Sequence, residues 1–105
     1  MATFYASDAG TLVANTPKNV GQSATTAGSY TAKIVNKGGV TATVYLSTSA
    51  TANTHDVDRY EVYDFQLVAG GAPLVIDFDL DANEYLVITS NVVGVSAKMS
   101  GYKND

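Results

Sequence analysis

This chain contains no cysteine and no tryptophan, only two prolines and a single histidine. Without cysteine it has neither disulfides nor thiolate metal sites, so its stability must come from a packed core. That suits synthesis in a reducing cytosol, and a thiol-free protein has no thiol chemistry to lose in a harsher setting. The lack of tryptophan removes a common sugar-stacking platform. Charge is scarce too: charged residues make up 15% of the chain, against the usual quarter or so. The six basic residues are scattered, whereas a nucleic-acid binder clusters them, so no nucleic-acid partner is expected. No apolar stretch approaches the ~20 residues of a membrane helix, and no membrane partner is expected. The start, MATFYASDAG, has no basic region followed by an apolar run, so it does not read as a signal peptide. Helical periodicity and internal repeats are also missing.

What is present is alternation. At 105 residues the chain makes one domain, large enough to bury roughly 65% of its unfolded surface. SYTAKIV, VTATVYLS, RYEVYDFQLV, PLVIDFDL, EYLVITS and GVSAKMSG alternate apolar and polar residues between Gly- and Asn-rich turns. A period of two puts one set of side chains on a buried face and the other in water. The fold expected is all-β: an antiparallel β-sandwich, jelly-roll or Ig-like, of about seven to eight short strands. Inward positions should include Tyr30, Ile34, Val44, Leu46, Ile76, Phe78, Leu86, Ile88, Val95 and Met99, with Tyr85 and Val87 competing for the places of Leu86 and Ile88. The two glycines of NKGG (36–39) suggest a hairpin joining the runs on either side. STSATANTHDVD (47–58) reads as an exposed loop crossing between sheets. In RYEVYDFQLV, Tyr60 and Val62 have one parity and Tyr63, Phe65 and Leu67 the other. A β-bulge near Val62–Tyr63 would reconcile them, as would a long strand that changes sheets.

Residues 1–28 are different. Phe4, Tyr5, Leu12 and Val13 are their only large apolar groups before Val20. The segment reads as an N-terminal arm with one or two short strands, TLVAN (11–15) among them, attached to a sandwich domain over 29–105. The competing reading makes TLVAN an ordinary edge strand. As an arm, the segment would dock on a neighbour, with Phe4, Tyr5, Leu12 and Val13 as apolar anchors.

Catalytic and metal-binding patterns are weak. Asp77, Asp79, Asp81 and Glu84 start like a calcium loop, but Ala82 stands where glycine is needed and Ile88 where the bidentate acid belongs. A solvated strand face with a turn aspartate accounts for them, and no metal or other cofactor is expected. His55 beside Asp56 and Asp58 could orient a base, but no activated nucleophile accompanies it, and an exposed loop histidine is the simpler reading. Asp58, Glu61 and Asp64 offer carboxylates that are ordinary on an exposed strand. Tyr45, Tyr60, Tyr63, Tyr85 and Tyr102 could form a stacking platform, though surface and interface positions suit them as well. No catalytic residue is assigned, and an enzyme is not expected.

The pieces Ile34-Val35-Asn36, Thr41 to Leu46, Leu67 to Gly71, Leu80 to Val87 and Val95 to Gly101 together resemble small virion proteins of tailed bacteriophages. The resemblance covers about 70 residues. It departs from the usual family turn at LDANE (80–84), where Asn83 replaces glycine; asparagine tolerates the left-handed conformation, so the turn survives. The resemblance implies a capsid decoration (cement) protein on the capsid surface of a virion, made in the host cytoplasm. Its partners would be the major capsid protein and copies of itself, as a homo-oligomer such as a trimer. A tail, neck or fibre component, or a carbohydrate-binding β-sandwich module, is the alternative.

Overall fold

The computed structural model describes residues 2–23 and 26–104. Eight strands follow one another: β1 (Ala2–Thr11), β2 (Lys18–Ser23), β3 (Gly28–Asn36), β4 (Ala42–Ser49), β5 (Tyr60–Leu67), β6 (Leu74–Leu80), β7 (Glu84–Ser90) and β8 (Val95–Asn104). They form two antiparallel four-stranded sheets, β1-β8-β3-β6 (the first sheet) and β2-β7-β4-β5 (the second). The fold is a β-sandwich, and its strand order is that of a jelly roll. The pairs β1:β8, β2:β7, β3:β6 and β4:β5 nest inside one another and fall alternately in the two sheets. An immunoglobulin domain divides its strands differently.

Alternation places the core. Tyr30, Ala32 and Ile34 of β3, Ala42, Val44 and Leu46 of β4, Phe78 and Leu80 of β6, Leu86 and Ile88 of β7, and Val95, Ala97 and Met99 of β8 fill the space between the sheets. Ile76, on edge strand β6, is only partly buried against them. Val87 is also buried, although it points away from the core; the covering loop described below explains this.

Several connections differ from expectation. NKGG does not close a hairpin: β3 and β4 lie in different sheets, so this turn carries the chain from one to the other. Asn36 holds the crossing, its side-chain amide donating to the carbonyls of Val40 (2.8 Å) and Leu67 (2.9 Å). The turn at 81–83 also crosses between sheets, with Asn83 in the left-handed region at φ 67°. The 50–59 loop, by contrast, stays within one sheet, since β4 and β5 are neighbours. The bulge in β5 is present. Val44 faces Phe65 but Leu46 faces Val62, so β5 carries one extra residue there, with Asp64 at φ 55°. A second shift follows at Glu61.

Before β3, the strands β1 (Ala2–Thr11) and β2 (Lys18–Ser23) are built into the two sheets. β1 pairs along its length with β8, and β2 pairs with β7. TLVAN is not a strand: β1 ends at Thr11 and the chain turns before Lys18. Small residues here also serve close packing: a Cβ on Gly21 would come within 2.7 Å of Met99 Sδ and 3.1 Å of Ser7 Cβ. Ala9, Leu12 and Val20 all enter the core.

Candidate functional site

The anchors expected near the start of the chain fall in four different settings. Leu12 is 2% exposed and belongs to the core. Tyr5 is half-buried; its hydroxyl accepts a hydrogen bond from the Gln22 N–H (3.2 Å), and Lys103 Nζ lies 4.4 Å from its ring centroid. Phe4 is exposed on the outer face of β1 and Val13 is exposed in the following loop. At about 3.3 Å per strand residue, Phe4 and Val13 lie roughly 25 Å apart along the chain and cannot form one patch.

On the second sheet, residues 50–59 fold back over the outer face. Asn53 and Asn19 exchange hydrogen bonds, each side-chain oxygen accepting from the other's backbone N–H (2.7 and 2.9 Å), which ties the loop to β2. His55 sits between β4 and β7, with Nδ1 2.6 Å from Ser47 Oγ and Nε2 2.6 Å from Thr89 Oγ1. Its ring rests against Tyr60, centroids 5.3 Å apart. His55 is therefore a half-buried latch and not an exposed loop residue, and burial lowers its pKa. Ser47 beside it is 0% exposed, so the pair cannot present a nucleophile to a substrate. Asp56 accepts from the Asp58 N–H (3.0 Å) and shapes the turn.

Glu84 also departs from expectation. It is buried, and Arg59 grips it through both guanidinium nitrogens; its Oε1 also accepts from the Asp81 N–H (2.8 Å). A lone Arg and a Glu 25 residues apart give no sequence signal of this pairing. Asp77 and Asp79 remain on the solvent face of β6, so the four acids do not converge. Among the described residues no group of His, Cys, Asp or Glu is arranged to hold a metal ion.

The tyrosines divide between the two faces. Tyr45, Tyr60 and Tyr63 pack edge-to-face on the second sheet, with centroid separations of 4.9, 5.1 and 6.2 Å. Partial burial and then the Asp64 carboxylate, 3.5 Å from the Tyr45 hydroxyl, raise the Tyr45 pKa. Tyr63 is 68% and Phe65 40% exposed along β5, and Val57 and Val68 flank them in the open. β5 is an edge strand, and its two bulges break the ladder a neighbouring strand would need. What this edge offers a neighbour is side chains.

Tyr102 lies on the outer face of the first sheet, where register lines residues up in rows across β1, β8, β3 and β6. One row is Phe4, Tyr102, Ser29, Asp79; the next Ala6, Ser100, Thr31, Asp77; the third Asp8, Lys98, Lys33, Val75. All are exposed. Over β1 and β8 the middle row is small (Ala6, Ser100) between Phe4 and Tyr102 on one side and Asp8 and Lys98 on the other, so the face has a trough there. Over β3 and β6 the first two rows are of similar size, Ser29 and Asp79 beside Thr31 and Asp77. Two adjoining depressions of ≈ 490 and ≈ 480 Å³ share Thr31 and Ser100 as floor. No protein-family model matches the chain, and neither the curated proteins nor the solved structures contain a significant match.

Proposed function

We propose that this chain is a structural virion protein: a capsid decoration protein of a tailed bacteriophage that bridges and stabilises neighbouring major capsid proteins as a homo-oligomer. The observation that carries this reading is the β5 edge. Tyr63 stands exposed on the outer face, packed on Tyr45 and Tyr60, and Phe65, opposite Val44, reaches solvent at the rim of the inner face. Aromatic groups set in a rigid strand lose little entropy on docking and bury large areas, as interface anchors do. The phage-like pattern over the later two-thirds of the chain supports the same reading. Each contact can be weak, because many copies on one particle act together.

Copy number in purified particles tests the proposal. Hundreds of copies per particle, lost when Tyr63 and Phe65 are replaced by serine in a still-folded protein, are expected. A dozen copies or fewer would assign the chain to a tail, neck or fibre. Absence from particles would end the virion reading.

A further inference from the structure

We infer that the trough across the first sheet is a binding site for a neutral saccharide. The inference does not depend on the virion reading.

The trough's relief follows from register. Rows two residues apart along a strand lie roughly 7 Å from each other, and strands are about 4.8 Å apart. Ala6, Ser100 and Thr31 thus floor a depression roughly 14 Å wide between the flanking rows, walled by Phe4 and Tyr102 over β1 and β8 and open towards β6. One ridge carries Phe4 and Tyr102, 60% and 56% exposed, packed edge-to-face with centroids 5.5 Å apart. The other carries Asp8 and Val75 at its ends and the stems and ammonium groups of Lys98 and Lys33 between them.

The polar groups are arranged for hydroxyl ligands. Asp77 Oδ1 accepts from Thr31 Oγ1 (2.6 Å) and Asp79 Oδ1 from Ser29 Oγ (2.7 Å). These bonds fix both carboxylates on the rigid sheet and leave their second oxygens, among the described residues, without a protein donor. Lys98 stands opposite Lys33 on one side and Asp8 on the other, so the like-charge pairing of the lysines is partly offset by a carboxylate in the same row. Neither has an ion-pair partner among the described residues. Ionised carboxylates only accept and ammonium groups only donate, whereas a hydroxyl does both. A ligand whose polar groups are all hydroxyls can satisfy both sides of the trough, while its C–H face packs on the negative face of an aromatic ring. An anionic ligand would meet Asp77 and Asp79, and a cationic one would meet the lysines. The volume falls within the usual range of small-molecule sites.

The test is a titration of the full-length, isotope-labelled protein with maltohexaose, cellohexaose and chitohexaose, read by amide chemical shifts, with a heparin hexasaccharide as the anionic control. Expected are saturable shifts with at least one neutral sugar at residues 4, 29, 31, 77, 79, 100 and 102, at millimolar or better affinity (about −4 kcal/mol at 1 mM). Tyr102→Ala and Asp79→Asn should each weaken binding about tenfold, and Tyr63→Ala on the other sheet should leave it unchanged. Tyr102 and Asp79 are exposed, so both variants should fold, and their amide spectra verify this. The inference is overturned if none of the three neutral sugars saturates, if only the heparin fragment binds, or if shifts fall at Tyr45, Tyr60 and Tyr63. It is also overturned if the trough residues shift with protein concentration alone, which would make the face an interface between copies of this chain.

Discussion

The outer face of the β1-β8-β3-β6 sheet is bare, whereas that of the β2-β7-β4-β5 sheet is partly roofed by residues 50–59. Both faces are made from the outward positions of alternating strands. On the bare sheet those positions are Phe4, Thr31, Lys33, Asp77 and Tyr102, all exposed. On the roofed sheet Ser47 and Val87 occupy equivalent positions and are fully buried. Strand parity therefore fixes which side of the sheet a residue faces, and the loops then decide whether that side meets water. The roof brings its own polar fittings, His55 against Ser47 and Thr89, and Asn53 against Asn19, because buried hydroxyls and backbone groups need hydrogen-bond partners.

The most damaging way to disturb this difference is at the roof's end. Arg59→Met leaves the buried Glu84 carboxylate without its cation. Full burial of both groups would make that worth 3–5 kcal/mol; with Arg59 partly exposed, a loss of about 2–3 kcal/mol in denaturant unfolding is expected. A loss under ~0.5 kcal/mol, the range of ordinary surface changes, would show that the ion pair does not anchor the roof.

His55→Ala should cost less, about 1–2 kcal/mol for two lost hydrogen bonds. It should also speed amide exchange across 50–58 while leaving 96–102 on the bare sheet protected. Equal acceleration in both sheets would mean that the roof is not a separate layer.

Acid should probe the latch more gently. Burial lowers the His55 pKa in the folded protein, so as pH falls below the ordinary value of about 6.5 the unfolded chain takes up protons first. Stability then declines with falling pH and levels off below the folded-state pKa. His55→Gln should lack that step in a melting-temperature profile, and a step that survives the substitution would belong to another group.

Smallest in stability are Tyr63→Ala and Tyr102→Ala, each within about 1 kcal/mol of wild type, because both side chains are exposed and lose only surface ring contacts. Their functional effects should separate, particle attachment failing with the first and saccharide binding with the second. Loss of both functions in either variant would mean that the two faces do not act independently.

Local pattern carried much of this architecture. The parity of Tyr30, Ile34, Phe78, Val95 and Met99 gave their inward placement, and the parity switch in RYEVYDFQLV marked the β5 bulge. What stayed hidden depends on which strands meet. NKGG looks like a hairpin because its glycines specify a turn, yet a turn does not say which sheet the next strand joins. The trough was invisible because its rows combine residues from four strands far apart in sequence, as in Ala6, Ser100, Thr31 and Asp77. The roof was hidden because a polar loop reads as solvated until Ser47 and Thr89 are found beneath His55. β1 and β2 read as an arm because small residues that allow close packing, such as Gly21 against Met99, have the same composition as a flexible segment.

The nesting of β1:β8 around β2:β7, β3:β6 and β4:β5 also grades the strand pairs by loop-closure cost. The innermost strands can meet across a short loop, and each pair that forms shortens the remaining separation for the next. The outermost pair joins residues about a hundred positions apart, Ala2 opposite Asn104. Among the described residues β8 is the only neighbour of β1 and one of the two neighbours of β3. The bare sheet is therefore closed by the pairing most distant in sequence, whereas every pair in the roofed sheet spans a shorter separation than β1:β8, and such long-range pairing is the kind that slows folding.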